Sequence, residues 1–180
     1  MSSADTRPFL RPRHGHAKVT NEELFFDLIY AFAITQLSHR LLEHLTPIGA
    51  VQTLVLWFAV WLGWQYTCWV TNWFNPANLR VRLMMFALML LGLGLSATIP
   101  TAYAGAGLAF ALCYAAIQVG RTVFVLANLP RGHALRPNFT RILGWVCISA
   151  ACWIAGGLSE GPYRLGFWIA GVLAEYIAPM

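Results

Sequence analysis

An all-α, polytopic transmembrane helix bundle of about six spans, with its N-terminus in the cytoplasm, is the fold class this chain predicts. Three observations predict it. Of 180 residues, 58% are hydrophobic and 11% charged, against roughly 25% charged in an ordinary soluble domain. The apolar residues gather into six runs, each about as long as the 20 residues of helix needed to cross a hydrocarbon core. Finally, Lys and Arg are unevenly divided between the connections. Strands do not fit, because the runs are too long and lack the alternation of a barrel.

Residues 1–19 read as a polar, mobile, basic tail, and 20–180 as a six-helix domain. The tail runs into Glu22, Glu23 and Asp27. A signal peptide would instead meet an uncharged apolar run and a small-residue cleavage site. His14 and His16 have no third ligand at recognisable spacing, so no metal site is expected there. The six spans are placed at 22–43, 50–73, 83–103, 106–129, 141–159 and 163–179. At the head of the first, Thr20 with Glu23 three residues on fits a capping box, and acids in the first turn suit the positive end of the helix dipole. The second closes on Trp69 and Trp73, residues suited to a membrane interface. Gly92 with Ser96, and Gly166 with Ala170 and Ala174, recur four apart in the third and sixth spans and predict close helix contacts. Only Glu160-Gly161-Pro162 separates the fifth from the sixth. Cys68, Cys113, Cys147 and Cys152 all fall inside spans without a CxxC pair, as small packing residues rather than disulfide or zinc partners.

Orientation follows from the cations. Arg7, Arg11, Arg13, Lys18, Arg80, Arg82, Arg131, Arg136 and Arg141 lie on one side; Arg40 and Arg164 lie on the other, and Arg121 lies within a span. Nine against two places the N-terminus inside. The same distribution explains the net charge of +5 without a nucleic acid partner. No metal triad, nucleophile–base spacing or Gly-rich phosphate loop occurs, so no catalytic residue and no cofactor is assigned.

The polar residues inside the spans are the candidates for function, since the bilayer cannot solvate them. Asp27 lies about 7–10 Å beyond the cap at 1.5 Å per residue and shares a helical face with Glu23, Tyr30, Ile34 and Ser38. Arg121 reaches a similar depth on the fourth span, in a stripe with Tyr114, Gln118 and Asn128. Asp27 and Arg121 are therefore expected to pair, directly or through Tyr30 or Gln118. The alternative role for such a pair is to fix helix register. Glu175, a second intramembrane acid in the sixth span, is expected to join this cluster if that span is correctly placed. On the second span, Trp57, Trp61 and Trp64 share one arc with Gln65, Cys68 and Asn72; core packing is the first reading and a cavity wall the second.

From His16 through Leu37, with Glu23-Leu24-Phe25-Phe26-Asp27-Leu28 at its centre, the chain resembles the bacterial low temperature requirement A family of membrane proteins. Val81-Arg82-Leu83-Met84 and Gln118-Val119-Gly120-Arg121 fit the same pattern. The resemblance implies a multi-pass protein of the cell (inner or plasma) membrane, of which this chain is an N-terminal half. It also links the chain to a growth phenotype and stress response, without assigning a biochemistry. Phe25-x-Asp27 followed by Ala31-x-Ala33-Ile34-Thr35 is similar to the first helix of the six-helix potassium channels whose hallmark is Phe-Ser-Asp. That likeness implies Ile34 as a pore constriction and Asp27 as the motif's anchor. Phe26 stands where those channels have Ser, and Asn21 where an Arg is usual.

The function expected from these readings is passage of an ion or small solute through the bundle, using Glu23, Asp27, Tyr30, Ile34, Gln118, Arg121 and Glu175. The alternative is a membrane scaffold or stress-response protein that binds a partner and transports nothing. Expected partners are the lipid bilayer and either the second half of the full-length protein or further copies of this chain.

Overall fold

The computed structural model describes residues 9–10 and 20–177. Six helices follow one another: α1 (Asn21–Glu43), α2 (Pro47–Trp73), α3 (Leu79–Thr98), α4 (Gly107–Asn128), α5 (Arg136–Leu158) and α6 (Gly161–Ile177), with a 3₁₀ turn, Ile99–Thr101, closing α3. The expected all-helical bundle is present, and the helix starts explain themselves locally. The Thr20 amide donates to Glu23 Oε2 at 2.8 Å while Thr20 Oγ1 accepts from the Glu23 amide at 3.4 Å, the reciprocal bonding of a capping box. Thr46 caps α2 through the Gly49 amide, with Pro47 in the first turn, where its missing N–H would have had no helical partner.

Helix α5 starts at Arg136 rather than at 141. Pro137 fits the first turn, and Arg136 Nη1 donates to the carbonyls of Leu126 and Leu129 at 3.1 and 3.0 Å. One arginine thus opens α5 and satisfies the C-terminal end of α4. Gly161 begins α6 at φ +58°, a left-handed conformation that glycine adopts without a Cβ penalty.

The helices pack in a closed circuit: α1 against α2 and α3, α3 against α4, α4 against α5, α5 against α6, and α6 back against α2, with α2 also touching α4. Helices α2, α4 and α5, together with α3 and its 3₁₀ extension, are each long and apolar enough to cross a membrane. By the same measure α1 is not apolar enough, and α6, with 17 residues, is not long enough.

Two tryptophans lock α5 to α6. Trp168 lies where a Cβ on Gly156 would come within 2.4 Å of its ring, and Trp153 stands 2.8 Å from a Cβ on Gly171. The two rings sit 5.1 Å apart. Of the expected stripe of Gly166, Ala170 and Ala174, Ala174 alone is buried. Gly166 faces open space and Ala170 is exposed, because α6 turns Arg164, Trp168, Gly171, Val172, Ala174 and Glu175 inward. Gly92 does approach α1, with Ile29 Cγ2 3.3 Å from its would-be Cβ.

Within the N-terminal stretch, the Phe9 ring packs at a tilt of 57° against Phe74, 4.8 Å between centroids, and its carbonyl accepts from the Asn75 amide at 2.9 Å. His14 and His16 lie outside the described residues.

Candidate functional site

Tyr114, Gln118 and Arg121 follow at helical spacing on α4, so they form one inward stripe. What meets that stripe is Glu175. Its carboxylate is fully buried, with Oε1 accepting from Ser149 Oγ at 2.6 Å and Oε2 from the Tyr114 hydroxyl at 2.8 Å. The Gln118 amide nitrogen donates to the same Oε2. On its other side, Gln118 Oε1 accepts from Arg121 Nη2. A guanidinium can only donate, so it dictates which way this amide points. Arg121 Nη1 also donates to the Gly63 carbonyl at 3.2 Å and to Thr67 Oγ1 at 3.0 Å. Tyr66 lies under the guanidinium at 5.4 Å and donates its hydroxyl to the Glu175 carbonyl at 3.0 Å. One hydrogen-bonded chain, Arg121–Gln118–Glu175, therefore ties α2, α4, α5 and α6 together. Its energetic logic is mutual: removing either charge would leave the other buried without its opposite.

Asp27 lies elsewhere. It is exposed on the flank of α1, where Trp64 Nε1 donates to its Oδ1 at 2.7 Å. Among the described residues it forms no ion pair with Arg121, directly or through Gln118. The physical reason is the rotation of α1, which buries Phe26, Tyr30, Ala33, Leu37 and Arg40 and leaves Asp27 beside that face. Tyr30 does point inward toward Gly63, but its hydroxyl has no hydrogen-bond partner.

The seven expected site residues thus separate. Gln118, Arg121 and Glu175 meet in the core. Asp27, Tyr30 and Ile34 line a cleft of about 370 Å³ between α1 and α2, with Ala31, Trp57, Val60, Trp61 and Trp64. Glu23 stays with the helix cap. Sequence reading missed Ser149, Thr67 and Tyr66 as core partners, and Trp64 as the partner of Asp27. The available signal was Ser149 itself, a hydroxyl in the middle of an apolar run.

A second cavity, about 260 Å³, lies between α2, α4 and the start of α5, at the end of the bundle where α1 begins. Arg121 and Thr122 line it together with Tyr66, Trp69, Trp73 and Asn138. At the opposite end, two further arginines act as bolts. Arg40 donates to the Pro100 carbonyl at 2.8 Å and to Gln52 Oε1 at 3.0 Å. Arg164 donates to the carbonyls of Ala102, Ala104, Gly156 and Ser159. Tyr103, in the turn before α4, lies beneath Arg40 at 5.1 Å, and burial pushes its phenol pKa up.

Apolar helices packed around a buried ionic chain define an integral, multi-pass helical membrane protein. The chain belongs to the bacterial low temperature requirement A (LtrA) family, whose model matches residues 18–180. Uncharacterized protein RA0937 of Rhizobium meliloti (strain 1021) is similar to it, at 39% identity over 180 residues. That alignment covers 99% of this chain and 44% of the relative, so the chain spans less than half the length of that protein. No solved structure matches the chain. The likeness of α1 to the six-helix potassium channels is not confirmed by these matches.

Proposed function

We propose that this six-helix unit carries an ion or small solute across the cell membrane, with its N-terminus on the cytoplasmic side. The observation that supports the reading is the cavity of about 260 Å³ that reaches Arg121. An ionic chain serving only to hold helices in register is best kept dry, because water competes for its hydrogen bonds and screens its charges. A chain that handles cargo needs an opening, and intramembrane ionisable groups characteristically mark such pathways. The nine-to-two division of cations supports the orientation.

The test is flux into proteoliposomes, made with Thr122→Cys in a background lacking the four natural cysteines. Thr122 lines the cavity and is 3% exposed. Transport predicts measurable flux, and a membrane-impermeant thiol reagent that blocks it from one side only. Well-folded protein that passes no ion or small solute in either orientation, and resists the reagent, would transfer the reading to a scaffold that binds a partner.

A further inference from the structure

Among the described residues, the cleft between α1 and α2 is lined by an acid, Asp27, and by no basic side chain. Asp27 lies about 9 Å along α1 from Asn21 at 1.5 Å per residue, on a face where the flanking residues are Glu23, Leu24, Leu28, Tyr30, Ala31 and Ile34. A carboxylate at this depth is costly unless it is paired. Its hydrogen bond comes from Trp64 and engages Oδ1. Among the described residues, the nearby acid Glu22 has Arg82 at 3.0 Å, whereas Asp27 has no basic partner. Arg121, a described cation at similar depth, is committed to Gly63, Thr67 and Gln118.

Around Asp27 the walls are aromatic. Trp57, Trp61 and Trp64 follow at helical spacing on α2 and line the cleft together with Tyr30. Trp57 and Trp61 stack at 5.6 Å with an interplanar angle of 11°, and Trp61 meets Trp64 at 5.3 Å. Tyr30 is 5% exposed and its hydroxyl is unpartnered. Indole faces attract cations, most strongly where water is excluded, and an aromatic cage is how quaternary ammonium groups are held. Beyond Ile34 and Trp57, the cleft continues into a trough of about 400 Å³ lined by Leu37, Leu41, Ala50 and Leu54, with Ser38 and Thr53 donating their hydroxyls back to carbonyls of their own helices. The whole groove therefore has a negative, aromatic head and an apolar body.

We infer that the α1–α2 groove binds an organic ammonium cation with an apolar substituent, its charge held between Asp27 and the three tryptophans. A free monocation fits better than a zwitterionic lipid headgroup. Asp27 is the charged side chain among the residues lining the cleft, and no Lys, Arg or His joins it there, so a lipid phosphate would find no counter-cation beside the bound ammonium. The proposal rests on the transport reading only in regarding this cation as cargo; binding is an equilibrium property and is tested without a gradient.

The experiment is equilibrium dialysis of labelled benzyltrimethylammonium against the purified protein in dodecyl maltoside, a detergent with no ammonium group. Saturable binding at one site per chain is expected. Asp27→Asn keeps an oxygen for Trp64 and should weaken binding about tenfold or more, the scale of losing a charge-assisted contact. Trp61→Leu removes one ring without touching that hydrogen bond and should weaken binding about threefold or more, while Asp27→Glu restores much of the affinity. Equal affinity in wild type and Asp27→Asn overturns the proposal, as does the absence of saturable binding. Displacement of the probe by equimolar phosphatidylethanolamine would also overturn it, assigning the groove to lipid. Saturable binding by wild-type protein that passes no flux would refute carriage and leave this site standing. Binding lost with flux kept would do the reverse.

Discussion

Glu175 and Asp27 are both acids within the apolar part of the bundle, and they are stabilised in opposite ways. Glu175 is fully buried and surrounded by donors from Ser149, Tyr114 and Gln118, with Arg121 one amide away. Asp27 is exposed on α1 and has one indole N–H from Trp64. The first belongs to a closed network whose members depend on one another. The second sits in an open cleft where, among the described residues, no basic side chain joins it. The comparison teaches that an acid in a membrane helix is not one kind of feature: the protein encloses one among donors from three side chains and leaves the other exposed with one hydrogen bond.

The largest expected effect tests the closed half of this contrast. Arg121→Ala or Glu175→Ala should each destabilise the protein by about 3–5 kcal/mol, because each leaves the other charge buried and unpaired. The double variant should lose clearly less than the sum, measured by denaturant unfolding in detergent. Additive losses would dissolve the idea of a single coupled chain. Next in size, Gly171→Leu drives a side chain into the Trp153 ring, 2.8 Å from where even a Cβ would lie, and should cost about 1–3 kcal/mol by overpacking. Gly166→Leu, on the open face of the same helix, is the control and should cost far less.

Smaller still, Asp27→Asn should change stability by no more than about 0.5 kcal/mol, as expected of a substitution outside the packed core. Thermal unfolding of this variant beside Glu175→Ala is the sharpest test of the comparison. If both fall equally, Asp27 is part of the core network after all. The smallest effect is expected for Glu22→Gln at the mouth of α1. Its partner Arg82 is 36% exposed, and pairs in such surroundings contribute about 0–1 kcal/mol.

Much of the fold was legible before any coordinates. The apolar runs placed all six helices, and Thr20 with Glu23 located the start of α1 because a capping box is a local arrangement of four residues. The start of α5 was missed because its cause is not local: Arg136 reaches back to carbonyls at the end of α4. The stripe on α4 was also legible, since Tyr114, Gln118 and Arg121 align by helical period alone. Their partner was not. Asp27 has the same depth and the right charge, yet Glu175 occupies the position.

By itself the sequence determined what the solvent imposes: apolar helices, the capped start of the first, the uneven division of cations, and the membership of the chain in the LtrA family. Only the tertiary structure decided which face of α1 turned inward, which glycines receive a tryptophan, and which acid Arg121 meets. The physical reason is that burial in lipid and burial in protein demand the same apolar composition, so hydropathy places a helix in the membrane without fixing its rotation. Rotation is set by close packing and by pairing buried polar groups across helices, and both depend on residues distant in sequence.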